Sequence, residues 1–272
     1  MTQMLSQESI NGGSLVIIAG PCQIESYDHC AKIAEFLVKQ QQERHFHLIF
    51  KSSFDKANRT KGTSKRGPGI QEGLAILDKI KTQFQLPVTT DIHLPEQAAE
   101  AKECVDLLQI PAFLCRQTDL LLAAAATGLP INVKKGQFMH PSDMKFALEK
   151  IRSHGCDTAF LTERGSCFGY RDLIVDMRSL QLMKDLGAHV IFDATHSVQS
   201  MGGESGVSGG HRQFIPLLAR AAVAAGVDGV FFECHDDPGN APSDGKSMLP
   251  LEQVGSFLEQ ICALHELRKT FV

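Results

Sequence analysis

Several residues along this chain carry groups suited to chemistry on anions. Lys51, Lys56, Arg59, Lys134, Lys135 and Arg164 are cations lying at or just beyond the ends of short apolar runs. Cations at separate strand ends suit phosphates and a carboxylate. A second group is mixed: Cys22 offers a thiolate, His196 an imidazole, and Glu233 and Asp244 carboxylates. Sulfur, nitrogen and oxygen donors together suit a borderline transition metal such as Mn, Fe or Zn rather than Mg. Spacing alone leaves that site open, because Cys22 taken singly also reads as a packing residue and Asp244 as a loop solvator. Ser53, Asp91 and Gln109 add polar groups at three further run ends.

The elements that must position these groups alternate along the whole chain. Short apolar runs occur at 15–19, 48–50, 88–92, 107–111, 131–133, 158–161, 189–192 and 229–232, each followed by a helical stretch. Nearly continuous apolar runs fit parallel strands covered on both faces. Gly128, Gly187 and Gly226 stand where helix C-caps belong. Eight strand–helix units in 272 residues favour closure into a single-domain (β/α)8 TIM barrel over residues 15–272, with 1–14 as an N-terminal extension that caps the bottom. An open sheet with a small insertion is the alternative. In a barrel, the C-terminal strand ends face the active site, and here all eight carry polar or ionisable residues. The basic loop 55–69 belongs to the same rim, and the glycine-rich stretch 201–210 reads as a lid over the mouth.

Bulk properties exclude other classes. The net charge of −4 gives no sign of nucleic-acid or membrane binding. The eight cysteines are scattered without a CxxC pair, which argues against a secreted disulfide scaffold. No stretch is long and apolar enough for a transmembrane helix, and the first residues lack a signal-peptide core, so a cytoplasmic protein is expected.

AGPC (19–22), KSSFDKANR (51–59), RGPG (66–69), NVKKGQF (132–138), LTERG (161–165), FGY (168–170) and DATHSVQ (193–199) together resemble the 3-deoxy-D-manno-octulosonate-8-phosphate synthase family. The resemblance runs from about residue 15 to 265, and KANR distinguishes it from the heptulosonate-phosphate synthases, which use erythrose 4-phosphate. It implies a transferase that condenses phosphoenolpyruvate, arabinose 5-phosphate and water, releasing phosphate, on the route to the Kdo sugar of lipopolysaccharide. Cys22 stands where the metal-independent branch has Asn, which implies the metal-dependent branch with Cys22, His196, Glu233 and Asp244 as ligands.

By the same matching, Lys51, Lys134 and Arg164 are expected to bind phosphoenolpyruvate, and Ser53 and Gln109 to line the substrate site. Asn58 and Arg59 are expected at arabinose 5-phosphate, with Arg59 on its phosphate. Lys56 is expected between the substrates, Asp91 by the reacting carbons, and His196 and Cys22 in the catalytic set. A homotetramer is implied. Thr60, Lys61, Lys65 and the segment 245–247 depart from the family pattern. Sialic-acid-type synthases and a non-catalytic sugar-phosphate sensor are the competing readings.

Overall fold

The computed structural model describes residues 13–59, 62–167, 172–200 and 209–271. The barrel strands are β1 (Leu15–Gly20), β2 (Phe46–Lys51), β3 (Val88–Asp91), β4 (Leu107–Ile110), β5 (Ile131–Lys134), β6 (Ala159–Glu163), β7 (His189–Asp193) and β8 (Gly229–His235). They pair in parallel in sequence order, and β8 closes the ring on β1, with Val16 opposite Gly229 and Gly20 opposite Glu233. The barrel expected from the alternating pattern is therefore the observed fold. The FGY motif, Thr60, Lys61 and most of the extension and glycine-rich stretch lie outside the described residues. Of the extension, Gly13 is held through its carbonyl by His265 Nε2, 2.8 Å away.

The outer layer is α1 (Tyr27–Glu43), α2 (Ile70–Phe84), α3 (Glu96–Lys102), α4 (Thr118–Ala125), α5 (Lys145–Arg152), α6 (Arg178–Lys184), α7 (Ile215–Ala225) and α8 (Leu251–Arg268). Helix α1 shows why such segments dock. Ser26 caps it by accepting from His29 N, and Cys30, Ile33, Ala34 and Leu37 form one buried stripe at helical spacing. The main core lies between helices and strands. A second, smaller core fills the barrel itself: Val16, Ile18, Ile49, Leu107, Phe160, Ile191 and Phe231.

Strand alternation turns that plug into a platform. Side chains at every other position share a face. The inward positions above the plug are therefore occupied by Lys51, Asp91, Gln109, Lys134, Thr162, Asp193 and Glu233, all buried. The opposite end of the barrel is stapled. Asp106 accepts from Val88 N and from Lys81, and Asp228 accepts from Val190 N and from Lys184. These two staples join β3 to β4 and β7 to β8.

Candidate active site

The platform floors an open cavity of about 1080 Å³, lined by Lys51, Lys56, Asn58, Arg59, Asp91, Gln109, Lys134, Arg164, His196 and Asp244 among others. Most expected site residues thus share one mouth. Cys22, Ser53 and Glu233 lie beneath its floor, and each is at most 2 % exposed.

The cations are held by buried carboxylates. Lys51 Nζ donates to Ser53 Oγ (2.8 Å) and lies 3.3 Å from Glu233 Oε1 and 3.6 Å from Asp91 Oδ2. Lys56 Nζ is 3.8 Å from Glu233 Oε1. Burial works against the Lys56 ammonium, but Cys22, Glu233, Asp91 and Asp244 outweigh it and hold its pKa above the ordinary lysine value. Lys134 Nζ donates to Asp193 Oδ2 at 2.5 Å and sits 3.4 Å over the centre of the Phe231 ring. Burial there prevails over Asp193 and pushes the Lys134 pKa down.

Asp91 is the best-satisfied acid. Ser53 Oγ and Gln109 Nε2 donate to its two oxygens. Burial alone would raise its pKa, but Lys51, Lys56, His93 and the Ser53 bond hold it well below the usual carboxylate range. Asp91 is therefore a fixed anion and hydrogen-bond acceptor at neutral pH.

Cys22 Sγ, a Glu233 carboxylate oxygen and an Asp244 carboxylate oxygen lie within 4.8 Å of one another. His196 stands at the edge of this group, its Nε2 3.7 Å from Glu233 Oε1 and its Nδ1 2.7 Å from Asp193 Oδ2. An Nδ1–H donated to Asp193 leaves a lone pair on Nε2 facing the Glu233 oxygen, an acceptor against an acceptor that a cation between them would satisfy. Glu233 Oε2 is buried with no hydrogen-bond partner among the described residues. Burial, together with Glu233 and Asp244, pushes the Cys22 thiol well up despite Lys56 and Lys51. As a thiol it donates to Asp244 Oδ2 (3.3 Å). Asp244 adopts a left-handed backbone, φ 51°, uncommon for a residue with a side chain. Gln199 and Ser243 donate to its carboxylate. An orphaned buried Glu233 Oε2, a thiol bonded to Asp244, an imidazole 3.7 Å from the other Glu233 oxygen and an oriented acid fit a divalent transition metal.

One expectation is corrected. Lys135 does not join the rim. Alternation turns it to the far side of β5 from Lys134, where it is fully buried against Glu163 Oε1 (3.5 Å) and Ser166 Oγ (3.1 Å). Arg59 lines the mouth. Its guanidinium is taken up within the chain by Ser243 Oγ, Gln23 Oε1 and the carbonyls of Lys65 and Pro242. Asn58 remains exposed beside the mouth. The other end of the basic loop is tied down, with Arg66 paired to Asp55 and Lys56 N donating to Arg66 O at 2.7 Å.

Sequence reasoning left Gln199 without a role. Its Oε1 accepts from Arg164 Nη2 (2.7 Å) while its Nε2 donates to Asp244 (2.8 Å). One amide thus couples Arg164 to the candidate metal ligand Asp244. Its signal was its place at the end of DATHSVQ. Arg164 Nη1 is buried and has no partner among the described residues.

Residues 3–270 match the sequence profile of the DAHP synthetase I family. The chain is 54% identical over 255 residues to a 2-dehydro-3-deoxyphosphooctonate aldolase of Desulfatibacillum aliphaticivorans, covering 94% of this chain and 93% of that protein. It is 54% identical over 256 residues to the protein of that name from Synechococcus sp., covering 94% and 90%. It is 52% identical over 259 residues to the one from Brucella canis, covering 95% and 94%. With its parallel barrel, cationic mouth and buried acids, the chain belongs to the DAHP synthetase I family, among relatives that carry the phosphooctonate aldolase name.

Proposed function

We propose that this chain is the transferase that joins phosphoenolpyruvate to D-arabinose 5-phosphate, with water, to give 3-deoxy-D-manno-octulosonate 8-phosphate and inorganic phosphate for Kdo and lipopolysaccharide synthesis. The observation that carries the reading is the meeting of Lys51, Lys56, Lys134 and Arg164 at one cavity in a chain of net charge −4. Two phosphates and a carboxylate repel in water, so a site that joins them needs fixed cations. The likeness to phosphooctonate aldolases supports the choice of sugar.

In the reaction, C3 of the enolpyruvate attacks the aldehyde carbon, and the C–C bond forms as the carbonyl oxygen takes up a proton. Water adds at C2 and loses a proton. The C2–O bond to phosphate then breaks as the C2 hydroxyl proton passes to the leaving phosphate, giving the C2 ketone and inorganic phosphate. Lys51, Lys134 and Arg164 hold the phosphoenolpyruvate, and Lys56 lies between the two substrates. Asn58 takes the sugar phosphate, and Arg59 reaches it once released from its contacts to Ser243 and Gln23. Ser53 and Gln109 hold Asp91 as a carboxylate beside Lys51, steadying the cation under the reacting carbons. Pre-orienting both substrates removes about 7–11 kcal/mol of barrier in favourable cases.

Cys22, His196, Glu233 and Asp244 would hold a divalent Mn, Fe or Zn ion. Bound there, it would supply Lewis-acid chemistry, lowering the pKa of a water or polarising and orienting the aldehyde. The support is the orphaned Glu233 Oε2 and the mixed donor set. A cytoplasmic homotetramer fits the resemblance, and light scattering tests its mass. No helix among the described residues is long and apolar enough to cross a membrane.

The decisive assay is phosphate release from phosphoenolpyruvate by chelator-stripped protein, with and without Mn(II), offered arabinose 5-phosphate or erythrose 4-phosphate. Turnover restored by metal and confined to the five-carbon sugar is expected. Preference for the four-carbon sugar would overturn the substrate assignment, and full turnover without metal would overturn the metal's catalytic role.

A further inference from the structure

We propose that Thr162 and Asn132 are positioning residues for this condensation. Through a one-way hydrogen-bond relay across the barrel, they fix which face of the Gln109 amide is turned to Asp91. The proposal rests on the reaction assigned above.

The relay runs through inward positions of neighbouring strands, all buried. Thr162 Oγ1 on β6 donates to Asn132 Oδ1 on β5 at 2.6 Å, and Asn132 Nδ2 donates to Gln109 Oε1 on β4 at 3.1 Å. Gln109 Nε2 donates to Asp91 Oδ1 on β3, and Ser53 Oγ, just beyond β2, donates to Asp91 Oδ2. Strand register makes this continuous, for Asp91 is opposite Gln109 and Gln109 is opposite Asn132.

The polarity of the relay is set at its anionic end. An ionised carboxylate only accepts hydrogen bonds, so Gln109 must present its NH2 group to Asp91. Its carbonyl oxygen then faces Asn132, which must present its own NH2 group. The Asn132 carbonyl is left facing Thr162, whose hydroxyl is the one rotatable member on that side and must donate. Without that donor, the Asn132 amide loses the bond that holds its orientation. A flipped Asn132 sets oxygen against Gln109 oxygen, and a Gln109 that flips in response sets oxygen against Asp91. Asp91 then loses a donor, and with it the fixed orientation of its carboxylate 3.6 Å from Lys51. Neither Thr162 nor Asn132 lines the cavity, whereas Gln109, Asp91 and Lys51 do. The effect therefore reaches substrate through other side chains.

The test compares Thr162→Val, Thr162→Ser and Asn132→Asp in the full chain with metal added, measuring kcat and KM for both substrates. Thr162→Val keeps the shape and removes the donor, and kcat/KM for phosphoenolpyruvate is expected to fall about 10-fold, a size typical of one buried hydrogen bond. Thr162→Ser keeps the donor and should stay within about 2-fold of wild type. Asn132→Asp puts an acceptor against Gln109 Oε1 and should cost about 100-fold. Equal activity of the Val and Ser variants would overturn the relay. If Thr162→Val does not fold, Thr162→Cys, a weak donor, takes its place and should fall between wild type and Asn132→Asp.

A readout independent of catalysis is the ¹⁵N side-chain amide signal of Gln109. Slow proton exchange in wild type and Thr162→Ser, with faster exchange in Thr162→Val, supports the relay. Identical exchange in all three overturns it. A wild type that makes no product would instead refute the reaction while leaving this amide measurement intact.

Discussion

Two groups of histidine, cysteine and acid side chains occur near the same barrel end, and they differ in what they leave unsatisfied. One is Cys22, Glu233 and Asp244, with His196 beside them. The other is Glu25, His29 and His235, where α1 meets the end of β8. In the second group, His235 Nδ1 accepts from Asp237 N (2.8 Å), so its proton is on Nε2 and is donated to Glu25 Oε1 (2.7 Å). The two imidazoles pack with centroids 4.5 Å apart, and His29 Nε2 is 3.1 Å from Asp236 Oδ1. His235 therefore has no lone pair to offer a metal without breaking a bond it already makes. In the first group, Glu233 Oε2 is buried with nothing to accept from among the described residues, and His196 Nε2 lies 3.7 Å from the other oxygen, Oε1. Proximity of ligand types is common. His29 Nδ1 in the second group is also buried without a hydrogen-bond partner among the described residues, so an unsatisfied atom alone does not separate a site from a clamp; the first group differs in leaving an anionic carboxylate oxygen open beside a thiol.

The largest expected effect sharpens that contrast. Glu233→Gln and Cys22→Ala should each lower metal retention by more than about 100-fold, read as metal content after gel filtration, since even removal of outer-shell partners costs 10–100-fold. Retention at the wild-type level in both would make the buried group the clamp. Cys22→Asn carries a separate question. Substantial metal-free turnover in it would mean that the ion chiefly organises the site, and obligatory ionisation of water by the metal would be ruled out.

Ion pairs extend the comparison from metals to stability. Lys134→Met leaves Asp193 without its ammonium in the barrel interior and should lower unfolding free energy by about 3 kcal/mol in urea titrations. Lys32→Met removes an exposed partner of Asp236 and should cost less than about 1 kcal/mol. Similar losses would erase the distinction between interior and surface.

Acid should destabilise the fold through the interior carboxylates. Asp91 has a folded pKa well below its ordinary 3.8. A depressed acid stabilises the fold above its unfolded pKa, and the contribution is lost as pH falls through the folded value. Asp91→Asn should therefore flatten the fall in stability below about pH 3.8, followed by thermal melting. The smallest effect on metal is expected in the clamp. His235→Gln should leave metal content unchanged and cost about 1 kcal/mol, a typical hydrogen-bond contribution. Loss of metal in that variant would refute the tautomer argument.

The apolar runs and their order were enough to read the barrel, because parallel strands covered on both faces leave an unbroken apolar signature. The cationic mouth was legible for the same reason, since polarity begins where each run ends. Lys135 was misread although strand alternation carried the signal: Asn132 and Lys134 share a face, so Lys135 takes the other. Thr162 and Asn132 were readable only as polar residues in apolar strands, in step with Arg164 and Lys134. The partners of Arg59 were not readable at all. Ser243 is 184 positions away, and only the closed ring brings the loop after β8 against the loop after β2.

Lys135 has one more consequence. Its ammonium is fully buried between Glu163 and Ser166 and cannot meet an amine-reactive reagent in the native protein. Labelling at this position requires the chain after β5 to part from Glu163 and Ser166, so its rate is a clock for that local opening, while exposed lysines such as Lys32 report only on the solvent.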